Sequence, residues 1–211
     1  MEELSLHILD IVENSIAAGA RHVEIRVDES RTEDRLSVEI VDDGAGMSEA
    51  TLRKATDPFF TTRTSRRVGL GLSLLEQAAK AAGGTFRIES QPGAGARVTA
   101  VFQDSHVDRQ PLGDTGATLL ALVTGNPEVE FSYAYRTDDA QVSFRTEPIK
   151  EQLGGMPVNT PEGIAAVRRA LEKITEAALA ATIPGEGLNR ESSCDTKKGA
   201  VRRTEPAGSR S

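Results

Sequence analysis

Apolar residues recur at helical spacing in "ELSLHILDIVENSIAA", residues 3–18, where Leu4, Ile8, Ile11 and Val12 form one stripe and Ser15 lies on it. "GA" follows and predicts the end of that helix. "HVEIRV" (22–27) and "RLSVEIV" (35–41) alternate apolar with polar residues, the period of half-buried strands, and the polar segment "DESRTED" joins them. "SEATLRKA" predicts a short helix with Ser48 as its N-cap. A further helix begins at "GLGL". "TFRIES" and "ARVTAVF" then alternate again around "QPGAG", a hairpin signal. Helix, two strands, helix, loop, helix and two strands predict an α+β fold: a mixed sheet covered on one face by helices.

The pattern changes near Asp104. "SHVDRQPLGD" reads as a linker, "TGATLLALVTG" as a short helix, and "VEFSYAYRT" with "AQVSFRT" as a hairpin across Asp138 and Asp139. A long helix is expected from Pro161, capped by Thr160, with Ile164, Val167, Leu171 and Ile174 on one face. The expected organisation is a first domain over 1–104, a small C-terminal α/β unit over 112–182, and a disordered tail over 184–211, where apolar residues are sparse.

Composition narrows the classes. The 211 residues carry a formal net charge of -7, which disfavours partners such as duplex DNA or an anionic membrane surface. No apolar run reaches the length of a membrane span, and "MEELSLHILD" has acids where a secretory signal needs bases. The one cysteine, Cys194, has no companion for a disulfide or a metal site. The expectation is a soluble cytoplasmic protein that binds neither nucleic acid nor membrane and holds no structural metal.

Three patterns carry candidate chemistry. Asp10 and Asn14 are four residues apart on the first helix, so they share a face, about 6 Å apart along the axis. An amide oxygen is a neutral hard ligand suited to Mg²⁺, and a carboxylate one turn away could hold or deprotonate a water. In "VDDGAGM", Asp42 ends a strand while Gly44 and Gly46 would let backbone approach a flat ligand; a simple strand-to-helix turn fits the same spacing. In "GLGL", Gly69 and Gly71 open a helix whose bare N–H groups would suit phosphate. No lysine follows, so it is not a Walker loop, and Leu74 excludes the dinucleotide fingerprint.

Taken in order, these patterns resemble the GHKL ATP-binding fold shared by gyrase, a heat-shock chaperone, histidine kinases and the mismatch-repair ATPases. The resemblance spans about residues 1–103. "LDIVENSIAAGA" is similar to the N box of the mismatch-repair ATPases; "DPFFTTR", "VGLGL", "AAGGTFRIES" and "PGAGARVTAVF" are similar to the lid and G boxes of nitrogen-regulator-type sensor kinases. The resemblance implies a Bergerat-type sandwich with ATP and Mg²⁺ as cofactors. Asn14 would ligate Mg²⁺, Asp42 would accept the adenine amino group, and Gly44 and Gly46 would lie beneath the base. Gly69, Leu70 and Gly71 would offer N–H groups to the phosphates. Residues 57–68 would form the ATP lid, with Phe59 and Phe60 at its hinge and Thr61, Thr62 and Arg63 near the triphosphate.

Two departures shape the functional expectation. Asp10 stands where hydrolysing relatives usually have Glu, and Ala96 where many relatives have a threonine supporting the adenine site. None of His7, His22 and His106 is followed by an acidic residue, so histidine autophosphorylation in cis is not expected; His7 reads as a partly exposed helix histidine. The candidate functions are an ATP-dependent kinase of a partner protein, as in the anti-sigma-factor serine kinases; a slow Mg²⁺-ATPase switching a partner or a homodimer; and a nucleotide-binding regulatory module without chemistry. The start "LSLHILDIVENS" also resembles ATP-binding proteins encoded beside iron-hydrogenase and diaphorase subunits. A carboxylate at 42 accepts from adenine but faces guanine's carbonyl, so ATP should bind more tightly than GTP by at least ~1–3 kcal/mol. Paired titrations with the two nucleotides check this, and comparable affinities would remove Asp42 from the base site.

Overall fold

The structure is a computed structural model and describes residues 3–56 and 71–182. The expected lid over 57–68, with Thr61, Thr62 and Arg63, lies outside the described residues, as do Gly69, Leu70 and the expected tail over 184–211. The elements in order are α1 (Leu4–Ala17), β1 (His22–Ser30), β2 (Arg35–Asp42), α2 (Glu49–Leu52), α3 (Gly71–Ala81), β3 (Thr85–Ser90), β4 (Ala96–Gln103), α4 (Thr115–Gly125), β5 (Glu130–Arg136), β6 (Gln141–Arg145), α5 (Glu147–Gln152) and α6 (Pro161–Thr182). Ser48 caps α2 as its sequence predicts, accepting from the Thr51 N–H.

The strands form one six-stranded mixed sheet in the order β3-β4-β2-β1-β5-β6. Every neighbouring pair is antiparallel except β1 and β5, which run parallel. Register follows from the alternation of side chains, because a slip of one residue would turn the apolar set outward. Ile25 stands opposite Ile40, Ile40 opposite Val98, and Ile25 is also aligned with Tyr133. These rows are buried and form one core with Leu4, Ile8, Ile11 and Val12 of α1, Leu75 of α3, Leu119 and Leu122 of α4, and Val167 and Leu171 of α6. The opposite face of the sheet is polar and half-exposed. There Arg26 and Arg97 both pair with Glu39, at 2.7 and 2.6 Å, and Arg136 pairs with Asp28.

The segment expected as a separate unit over 112–182 therefore shares its sheet and its core with the first hundred residues. The expected hairpin is present as β5 and β6, but β5 adds to the free edge of β1 instead of founding a second sheet. Burial of Phe131, Tyr133 and Tyr135 requires this, since a lone two-stranded hairpin cannot cover its apolar face. The expected linker also has a structural task. The helix α1 has no side-chain cap, and its first-turn N–H groups of Leu4 and Ser5 donate instead to the carbonyls of Pro111 and Leu112, each at 2.9 Å. This strap buries His7, whose Nε2 lies 2.9 Å from Gln110 Oε1. The histidine is only 4% exposed, which corrects the reading of it as partly exposed.

Both tyrosines lie in β5 and the chain has no tryptophan, so tyrosine fluorescence reports the C-terminal strands while far-UV circular dichroism reports the whole. The shared core predicts that urea unfolds both signals in one coincident transition. Ile25→Ala, at a fully buried position of β1, should shift both together by ~2–5 kcal/mol. Separated transitions would show that the C-terminal part unfolds by itself.

Candidate functional site

The candidate residues converge where the end of β2 meets α1 and the start of α3. Asp42 is in phase with Leu36, Val38 and Ile40, so it belongs to the sheet row that faces the helices, not to the polar face. A carboxylate at the end of an inward row must be hydrogen-bonded to be tolerated there. Its Oδ2 accepts from Ser15 Oγ at 2.7 Å and its Oδ1 from the Gly44 N–H at 2.9 Å. In the sequence Ser15 lies on the apolar stripe of α1 and carries no site role. A hydroxyl in phase with Ile8, Ile11 and Val12 was the available signal.

The loop after Asp42 is pinned on three sides. The Ala45 N–H donates to Ala18 O at the end of α1, and the Gly93 N–H donates to Ala45 O. Ser90 Oγ donates to Gly95 O at 2.6 Å and accepts from the Met47 N–H at 2.8 Å, joining the loop to the turn before β4. Gly46 sits at φ +66°, and a methyl group there would lie 1.9 Å from Gln91 O. No side chain fits, so the glycine is required by close approach of two backbones. Gly44 is buried beside Ala18 and Asp42.

Asp43, beside the candidate residue, anchors the loop to β1. Its Oδ1 accepts from the Arg21 and His22 N–H groups at 2.7 and 2.9 Å, and its Oδ2 lies 2.8 Å from His22 Nδ1. Desolvation works to raise its pKa, but the bonds from the His22 backbone and ring, with that from Arg21, together hold the carboxyl below its usual value.

Asp10 and Asn14 project from α1, both half-buried, and among the described residues no hydrogen bond or ion pair occupies either side chain. The start of α3 is set against Asp10: a methyl group on Gly71 would lie 3.0 Å from Asp10 Cβ. Bare backbone at residue 71 relieves crowding where the helix start meets Asp10. The structure thus brings Asp10 and Gly71 together, with Asn14 one turn along α1 and Asp42 bonded to Ser15 on the same helix. The described residues contain no cluster of three or more metal-ligating side chains. No helix among them is long and apolar enough to cross a membrane.

The first hundred residues match an ATP-binding domain of GHKL type. A family model described as "Histidine kinase-, DNA gyrase B-, and HSP90-like ATPase" matches residues 2–106, and over those residues the chain carries a domain of the GHKL ATPase superfamily. It is 35% identical over 102 residues to the signal transduction histidine-protein kinase AtoS of Escherichia coli (strain K12), covering 48% of this chain and 17% of that protein. It is 36% identical over 95 residues to the sensor protein kinase FleS of Pseudomonas aeruginosa, covering 45% of this chain and 23% of that one. The chain thus spans less than a quarter of either relative's length. Among solved structures, it is similar to the Aquifex aeolicus MutL ATPase domain complexed with ADP, at TM-score 0.44 and 14% identity, covering 73% of this chain and 70% of that one.

The depressed carboxyl of Asp43 gives a pH signature. Its stabilising contribution is complete above the unfolded-state value of about 4 and is lost as pH falls through the lower folded-state value. Urea titrations from neutral pH down to about 3 should therefore show wild type losing more stability than Asp43→Asn. Equal acid sensitivity of the two proteins would count against the anchoring role.

Proposed function

We propose that the chain is a Mg²⁺-ATP-binding, kinase-like ATPase that regulates or phosphorylates a partner protein in the cytoplasm. The observation that carries this reading is the approach of Asp10 to the helix start at Gly71, with Asn14 one turn further along α1. In this reading Asn14 is the protein's metal ligand and Asp10 orients or deprotonates the attacking group. The donor set suits the ion: Mg²⁺ is usually held by one or two protein oxygens together with phosphate oxygens and water, without an all-protein cage. When bound, Mg²⁺ would neutralise charge on the phosphates and orient them. Gly69, Leu70 and Gly71 would offer N–H groups there, and Thr61, Thr62 and Arg63 would belong to the lid over the triphosphate. At the other end, Asp42 would accept from the adenine amino group, with Gly44 and Gly46 beneath the ring.

A partner acceptor fits the histidines better than an internal one. His7 is buried against Gln110, and the His22 ring is engaged by Asp43. The partner would be another protein or a second copy of this chain. A second reading, a nucleotide-binding regulatory subunit without chemistry, draws support from the strap. Its carbonyls at 111 and 112 hold the first turn of the same helix that carries Asp10 and Asn14. Nucleotide occupancy could be read out through that contact.

One incubation with Mg²⁺ and γ-labelled ATP separates these. Asp10→Asn should lower release of free phosphate by ~10²–10⁴-fold while ATP still binds, the range for loss of a general base. Asn14→Ala should remove the Mg²⁺ dependence of binding. Acid-stable label on a partner would establish a serine or threonine kinase, and acid-labile label a histidine kinase. ATP binding with neither phosphate release nor label would favour the regulatory reading.

A further inference from the structure

We propose that Ser15 is a positioning residue for base selection: its hydroxyl fixes the Asp42 carboxylate so that its free acceptor positions meet the adenine amino group. The inference rests on the assignment of Asp42 to the base and goes beyond it by naming what holds Asp42.

Ser15 has one hydroxyl proton and two acceptors within reach, Ile11 O at 3.3 Å and Asp42 Oδ2 at 2.7 Å. Back-bonding to the carbonyl four residues earlier is a common fate of a serine inside a helix. Here the carboxylate is much the nearer acceptor, and bonds to an ionised group are also the stronger kind. The serine is 4% exposed, so its hydroxyl has little access to solvent. With Gly44 N–H on Oδ1, each carboxylate oxygen is tethered once. Two donors on different elements, a helix and a loop, fix the rotation of the carboxylate. A carboxylate has about four acceptor positions, so about two remain for a ligand.

No other described hydroxyl takes this role. The cross-strand partner of Asp42 is Ala96, whose methyl group donates nothing. Ser90 stands opposite Ala96, and its Oγ is engaged by Gly95 O and the Met47 N–H. Without Ser15 the carboxylate would keep its Gly44 bond and turn about it. A rotating acceptor loses its preference for a donor at the purine 6-position over a carbonyl there.

The test measures dissociation constants for ATP and inosine 5′-triphosphate, which differ at that position by amino against carbonyl. Ser15→Ala should weaken ATP binding about 5–10-fold, the loss of one hydrogen bond's worth of positioning, and leave inosine triphosphate within about twofold. Ser15→Cys keeps the shape of the side chain, with a somewhat larger sulfur in place of oxygen, but loses the strong donor, so it should give the same selective loss even if the alanine variant folds poorly. Ala96→Thr added to Ser15→Ala returns a hydroxyl directly across from Asp42 and should restore most of the ATP preference. Parallel loss of both nucleotides, as a general packing defect would cause, overturns the inference, as does unchanged ATP affinity in both Ser15 variants. A wild-type protein that binds neither triphosphate overturns the nucleotide site itself, a separate failure seen before any variant is made.

Discussion

A carboxylate on the inner face of a sheet needs hydrogen bonds in place of the water it gives up, and Asp42 is where this molecule meets that requirement. Ser15 must be brought from α1 and the Gly44 N–H from the following loop for both oxygens to be satisfied. The distance between α1 and the end of β2 is therefore tied to one short hydrogen bond. The loop's path is tied as well, because the Gly44 amide must fold back on the residue two before it. Ala45 then bonds to the end of α1 and Gly46 packs on Gln91 backbone, so one satisfied carboxylate organises three segments.

The same helix is held at its other end by residues from the second half of the chain. Leu4 and Ser5 are capped by Pro111 and Leu112, while Ala18 O accepts from Ala45. Both termini of a helix leave backbone groups unpaired, and here distant backbone contributes to pairing them at each end. Asp10 and Asn14 thus project from a support fixed at both ends, the arrangement that keeps a site's side chains in register. The strap runs from β4 to α4, whose Leu119 and Leu122 share the core with α1. The C-terminal elements are consequently part of the platform for the candidate site.

Much of this was legible in the residues, and the misses have physical causes. The strands read correctly because period-two alternation is local, and extending it one step past Ile40 places Asp42 inward. Ser15 was equally legible as a hydroxyl within an apolar stripe, yet its partner is 27 residues away and no local pattern names it. The parallel pairing of β5 with β1 was not legible, because alternation predicts a strand's faces and says nothing about which edge it joins. His7 misled for the same reason: its burial is produced by Gln110, more than a hundred residues on. The helix-start position marks Gly71 as a candidate phosphate donor in the sequence alone, whereas its packing on Asp10 emerges only from the fold.

In the proposed reading, the two ends of the nucleotide rest on different parts of this arrangement. The base end depends on Asp42, held by a helix hydroxyl and a loop amide. The phosphate end depends on how closely α3 approaches α1. Asp10 is about 1.5 Å shorter in reach than a glutamate would be. A methyl group at residue 71 would crowd Asp10, at 3.0 Å from its Cβ, whereas glycine leaves the contact open. The short carboxylate and the bare helix start are thus mutually consistent: what the side chain lacks in length is offset by the nearness of the backbone it faces. A longer acid at position 10 would extend further into that approach, so length and spacing must change together. This dependence ties the chemistry to the packing of α1 against α3 and leaves the selectivity of the base end to the bonds around Asp42.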